Sequence, residues 1–209
     1  MFTNRGFKML LLLPGLMAVV VVGVSCSKNF VEPEVVVETS TVNRHELDTS
    51  VSENADGKVA FHIPEGWVEQ VPSSSMRKAQ YLLPRAEGDA EDGELIVFHF
   101  PGQGGSIKSN ISRWVGQISR PDGSPAAEDA KISKKQVRGK EVTLLDISGT
   151  YRKSMGPLSQ GAPKSGFRML GAIVGTKRGP WFFKLTGPAV TVAKWFESWE
   201  KFVESFQVK

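Results

Sequence analysis

The chain has little of what covalent and catalytic frameworks are made from. One cysteine among 209 residues excludes an internal disulfide and any Cys-rich zinc site. Three histidines leave few ways to assemble a metal-ligand set or a Ser–His pair. Acidic residues are missing from residues 1–25 altogether, and no internal repeat is present. What is there suits a folded domain. Hydrophobic residues make up 40% and charged residues 23%, a balance that supports a core and excludes wholesale disorder. Twenty-one Gly and twelve Pro are more than helical bundles carry and imply many turns. The length fits one domain, or one domain with appendages.

The acid-free N-terminus has the order of a targeting segment. Arg5 and Lys8 precede an apolar stretch from Met9 to Val24, interrupted by Pro14 and Gly15. That is the basic region and apolar region of a secretory signal. The lone Cys26 follows directly, after Gly23-Val24-Ser25. Small residues before a single cysteine at this point resemble the lipobox of bacterial lipoproteins, which implies cleavage before Cys26 and acylation of its thiol. Gly23 stands where that family prefers Leu. An uncut anchor and plain secretion with a free thiol are the alternatives; a retained anchor would need about the 17 residues of the shortest spanning helices.

Charge is unevenly spread. Residues 26–56 hold seven acids against Lys28 and Arg44, with no sustained periodicity, and read as a flexible acidic tether. Residues 57–209 are net basic, and Lys131 to Arg178 holds eleven bases and two acids, Glu141 and Asp146. These charges fall on turns and outward strand positions, so they read as a solvated surface. Nucleic acid is not an expected partner, because no aromatic-basic recognition motif accompanies them.

Within 57–209 the pattern is strand, strand, strand, helix, four strands, helix. Val59, Phe61 and Ile63 alternate before Pro64-Glu65-Gly66-Trp67; Met76–Leu83 and Glu94–Phe100 follow, separated by an acidic loop. Ser106 caps a helix whose apolar face is Ile107, Ile111, Trp114, Val115 and Ile118. Lys131–Val137 and Glu141–Tyr151 form a hairpin, a Gly/Ser/Pro-rich flexible stretch runs to near Gly166, and Phe167–Val174 with Trp181–Thr186 forms another. Pro188 opens a last helix striped by Val192, Trp195, Phe196, Trp199, Phe202, Val203 and Phe206, a spacing that predicts core packing. The class is α+β: a mainly antiparallel sheet of about seven strands with two main helices packed on it, after a signal segment (1–25) and a tether (26–56).

The run Phe-Pro-Gly-Gln-Gly-Gly-Ser (100–106) before a Trp-bearing helix resembles a group of uncharacterised bacterial lipoproteins. So does Trp181-Phe-Phe-Lys-Leu-Thr-Gly-Pro188 before an aromatic helix. The layout of 57–209 also looks like the PsbP-like α/β sandwich. The resemblance implies a lipid-anchored accessory or assembly module in the bacterial cell envelope, facing the periplasm, with an envelope protein as partner.

Chemistry is thinly signalled. Gly102, Gly104, Gly105 and Ser106 form a Gly-rich strand-to-helix turn whose amides could hold an anion. Ser106-Ile107 lacks the lysine of a phosphate-binding loop, and Gly104-Gly105-Ser106-Ile107-Lys108 breaks a nucleophile elbow at its last position. The simpler account is a turn needing glycine. His62 and His99 lie on predicted strands and could face each other, but without a nearby carboxylate or Cys each reads as a satisfied structural histidine. The acids Glu87, Asp89, Glu91, Asp92 and Glu94 lack calcium-loop spacing. Asn110-Ile111-Ser112 is a formal glycosylation sequon without force in a bacterial lipoprotein. No nucleophile–base set can be written, and no cofactor or metal is expected. The reading is therefore a non-enzymatic, membrane-tethered protein-binding module; the alternative is a small-ligand or anion-binding domain using Gly102–Ser106.

Overall fold

The computed structural model describes residues 57–153 and 161–209. The signal segment, Cys26, the tether and the centre of the Gly/Ser/Pro stretch lie outside the described residues. In chain order the elements are β1 (Val59–Ala60), β2 (Val68–Gln70), β3 (Arg77–Leu83), β4 (Gly93–His99), α1 (Ile107–Val115) and β5 (Ile118–Ser119). A 3-10 turn (Ala127–Asp129) leads to β6 (Lys131–Val137), β7 (Lys140–Tyr151), β8 (Lys164–Val174) and β9 (Trp181–Pro188). The chain closes with α2 (Ala189–Lys194), α3 (Phe196–Glu204) and β10 (Gln207–Val208).

The main sheet has eight strands in the order β2-β3-β4-β9-β8-β7, with β5 and β6 sharing the far side of β7. All of these pairings are antiparallel. β1 and β10 pair separately, Val59 opposite Val208. The α+β class expected from sequence is what forms; β2 and β5 join the six foreseen strands in the sheet, and the first foreseen strand, β1, pairs outside it. Arg138 and Gly139, both at positive φ (48° and 75°), make the two-residue turn that joins β6 to β7, the conformation that matches strand twist.

Strand alternation splits the core in two. Leu170, Ala172 and Val174 of β8 join Trp199, Phe202 and Phe206 on one face. Met169 and Ile173 join Ile111 and Trp114 of α1 on the other. Successive side chains point to opposite faces, so one strand feeds both cores. Gly171 lies on the α1 side between Met169 and Ile173. A Cβ there would sit 2.6 Å from Trp114 Cζ3; glycine lets the indole lie directly on the sheet.

Three local expectations are corrected. The strand foreseen over Val59–Ile63 stops at Ala60. Beyond it the His62 amide bonds Ser205 Oγ at 2.9 Å, Phe61 turns onto the rings of Phe183, Phe202 and Phe206, and Ile63 is exposed. The first helix ends at its Gly116 cap, so Ile118 reaches the same core from β5 rather than from the helix. The last helix is two helices, broken at Trp195 (φ −99°, ψ 8°). There the indole Nε1 donates to Pro84 O at 2.9 Å, and α2 is tethered at its start by Asp89, whose Oδ2 accepts from the Thr191 amide at 2.8 Å.

Candidate functional site

On the α1 face the sheet carries a cavity of about 520 Å³, within the size range of small-molecule sites. Its apolar wall is made by Met76, Ile96, Phe98, Phe100, Trp114 and Phe182. The rings are contiguous: Phe98 stacks on Phe100 at 6.1 Å, and Phe182 meets both Phe100 and Trp114 at 6.2 Å. Its polar side is Arg77, Arg113, Gln117, Tyr151, Lys153 and Lys184.

Lys184 is the least expected member. It sits between Phe183 and Leu185 on a central strand, paired with Ile96 of β4 and Gly171 of β8, and is 8% exposed. Its Nζ donates to Gln117 Oε1 and, at 3.4 Å, to Tyr151 Oη. Both partners are neutral. Burial, then the nearby Arg113 and Lys153, push the amine down to about 7 against a smaller opposing pull from Glu94. An amine held near half-charge at neutral pH can accept an anion by taking up a proton, or stay neutral when none is present. Tyr151 is also buried; burial foremost, then Glu94, raise its phenol to about 12, so it remains a hydrogen-bonding hydroxyl throughout the physiological range.

Arg113 is oriented from behind. Its Nη2 donates to Asn110 Oδ1 at 2.7 Å, and Asn110 Nδ2 donates to Gly104 O and Ser106 O at 2.5 and 2.9 Å. Arg77 is different: it pairs with Glu94 at 2.9 Å, and Gln80 bridges the two at 2.8 and 2.9 Å. Glu94 is thereby occupied. Among the described residues no carboxylate forms an ion pair with Arg113, Lys153 or Lys184.

The residues singled out from sequence are placed elsewhere or in support. Ser106 caps α1 as expected, accepting from the Ser109 amide at 3.0 Å. The amides of Gly102 and Gln103 donate to Arg178 O and Phe100 O. Gly104 (φ 105°) packs where a Cβ would meet the Phe182 ring at 3.2 Å, and Gly105 also takes positive φ. The turn thus lies behind the cavity wall and, through Asn110, behind Arg113. The satisfied structural histidine expected at each of His62 and His99 is met only in part, at His99. His62 is exposed. His99 is buried and stacked on Trp181 at 4.5 Å, with Nε2 lacking a partner among the described residues. Burial and then Lys78 hold its pKa below the usual histidine range, partly opposed by a bond to the Arg178 backbone.

The acidic loop is spent on structure: Asp92 accepts from the Arg85 amide, Asp89 from Thr191, and Glu91 pairs with Lys164. Among the described residues no group of three metal-ligating side chains forms, and no helix is long and apolar enough to cross a membrane. The cations of Lys131–Arg178 are mostly exposed, as the solvated-surface reading expects. Sequence reasoning missed Lys184, Arg113, Tyr151, Gln117 and Lys153. One signal was present: a lysine inside the apolar run Trp181–Leu185.

No family model and no curated protein matches the chain. Solved structures similar in layout include the following two. One is a Pseudomonas aeruginosa protein of unknown function, described as a candidate regulator, at 10% identity, covering 73% of this chain and 99% of its own, TM-score 0.44. The other is the cyanobacterial PsbP of Synechocystis, at 13% identity, covering 74% and 94%, TM-score 0.41.

Proposed function

We propose that the chain is a lipid-anchored, non-enzymatic accessory protein of the bacterial cell envelope whose folded part is a binding module. In this reading Cys26 carries the lipid, residues 26–56 hold the domain off the membrane on the periplasmic side, and an envelope protein or a small ligand is what it engages. The order of basic residues, apolar stretch, small residues and lone cysteine supports the anchor. The observation that carries the binding role is the α1-face cavity, with an aromatic wall facing three cations that form no ion pair with a carboxylate among the described residues. Binding through Gly102–Ser106 is the lesser role, because the amides of Gly102 and Gln103 before Gly104 and of Ser109 after Gly105 already donate to Arg178 O, Phe100 O and Ser106 Oγ.

Metabolic labelling with a palmitate analogue tests the anchor. Label is expected on the wild type and absent from Cys26→Ser; equal labelling of both would remove it. The binding role is tested by titration with aromatic probes, and the nature of the ligand decides which probes.

A further inference from the structure

Resting on the reading of the α1-face cavity as a binding site, we infer that its ligand is a small organic anion, with its charged head against Lys184 and Arg113 and a flat apolar body against the aromatic wall. The cations come from separate parts of the chain: Arg113 from α1, Lys153 just beyond β7, and Lys184 from β9. Nothing local requires them to converge. Their mutual repulsion, with Lys184 buried, costs stability in the empty protein, and the cost is recovered only when negative charge enters. The carboxylate already present, Glu94, is held by Arg77 and Gln80 on the β3–β4 side.

Shape argues for more than a bare ion. Phe98, Phe100, Trp114 and Phe182 supply aromatic faces and edges that a hydrated phosphate would leave unused, whereas flat apolar groups gain from such contacts. Arg113, fixed by Asn110, presents a planar fork suited to a carboxylate. Gln117 and the Tyr151 hydroxyl, now bonded to Lys184, are further polar groups beside the head.

The pH dependence follows from the groups around Lys184: Arg113 of α1, Gln117 between α1 and β5, Tyr151 of β7, Lys153, and Glu94 of β4 with its partner Arg77 of β3. The amine titrates near 7 in the empty protein. An anion beside it favours the charged form and raises that value. Affinity is therefore full below about pH 7 and falls above it, by up to about tenfold per pH unit for one linked proton.

The test is calorimetry on the full chain in lipid nanodiscs, with empty nanodiscs as blank. The probes are 2-naphthoate, its uncharged analogue 2-naphthalenemethanol, and inorganic phosphate, each at pH 6 to 9. Naphthoate should bind at pH 6 at least about tenfold more tightly than either of the others and weaken as pH rises. Lys184→Met should abolish that preference and flatten the pH profile. Lys153→Gln, at an exposed position, should weaken naphthoate several-fold and, by removing one of the charges that depress Lys184, move the fall in affinity to higher pH without abolishing it. Equal affinity for the two naphthyl probes, or Lys184→Met binding naphthoate like the wild type, would overturn the anion. Phosphate matching naphthoate would overturn the apolar body. No saturable heat from either naphthyl probe would bring down the binding role itself, and the inference with it.

Discussion

Lys184 shows how one residue couples a site to the stability of its scaffold. In the unfolded chain its amine titrates near 10.5, in the folded protein near 7. Between those values the unfolded chain holds a proton that the folded one has released, so unfolding free energy rises with pH there. Below 7 both states are charged and the folded one bears the full burial cost. The slope is at most ~1.4 kcal/mol per pH unit. Urea unfolding of the wild type should therefore give increasing stability from pH 7 to 9. Lys184→Met, which keeps the stem and removes the charge, should be more stable than wild type at pH 6 and lack the rise. The tyrosines interfere only later, since Tyr81 and Tyr151 are both raised to about 12 and act above pH 10 with opposite sign. A methionine variant that tracks the wild-type curve would mean another group titrates. The lysine was readable in principle: Phe182 and Lys184 share one face of β9 and Phe183 and Leu185 the other. Alternation alone makes an inward lysine visible, but which helix covers that face is a tertiary fact.

Elements with enough length to show a period were legible. β3, β4 and β6 to β9 each span seven or more residues and fall close to where alternation and turn residues place them. β2, β5 and β10 have two or three residues each, too few for any pattern, and exist because a neighbouring strand is there to pair with; β1, foreseen from alternation over Val59–Ile63, keeps only its first two residues. The break at Trp195 was hidden for a related reason, since it depends on a bond to Pro84, 111 residues away. The aromatic stripe nevertheless goes where its spacing directs. Trp199, Phe202, Val203 and Phe206 are all buried, and Phe183 stacks on Phe206 at 4.3 Å. Trp199 is 4% exposed, so Trp199→Ala should cost ~3–5 kcal/mol in chemical denaturation, the range for truncating a large buried aromatic. A cost near zero, with lipid or partner binding lost instead, would make the stripe a surface.

At the scale of the molecule, the first and last described residues meet. The Gly57 amide donates to Lys209 O and the Lys209 amide to Lys58 O, while Trp181 Nε1 donates to Gly57 O at 2.9 Å. The cavity escaped a reading of the sequence because it too is a product of distant parts of the chain. Its polar members, from Arg77 to Lys184, are spread over half the chain and come together only after β4, β9, β8 and β7 have paired. The closure also predicts where the chain can be cut. A chain beginning at Gly57 keeps β1, the acceptor for Trp181 and the Phe61 ring against Phe183, Phe202 and Phe206. It should unfold in one cooperative transition at a midpoint close to that of the chain beginning at Cys26. A chain beginning at Pro64 loses β1, leaves the indole N–H of Trp181 without its acceptor, and opens the space filled by Phe61. The ring is partly buried, so its loss should cost less than the ~3–5 kcal/mol of a fully buried aromatic, and the freed indole N–H, part-buried already, can turn to water; the midpoint should still fall. Thermal unfolding of the three chains by circular dichroism separates the cases. Loss of cooperativity already at Gly57 would show that residues 26–56 belong to the core. An unchanged midpoint at Pro64 would show that the β1–β10 closure carries no stability.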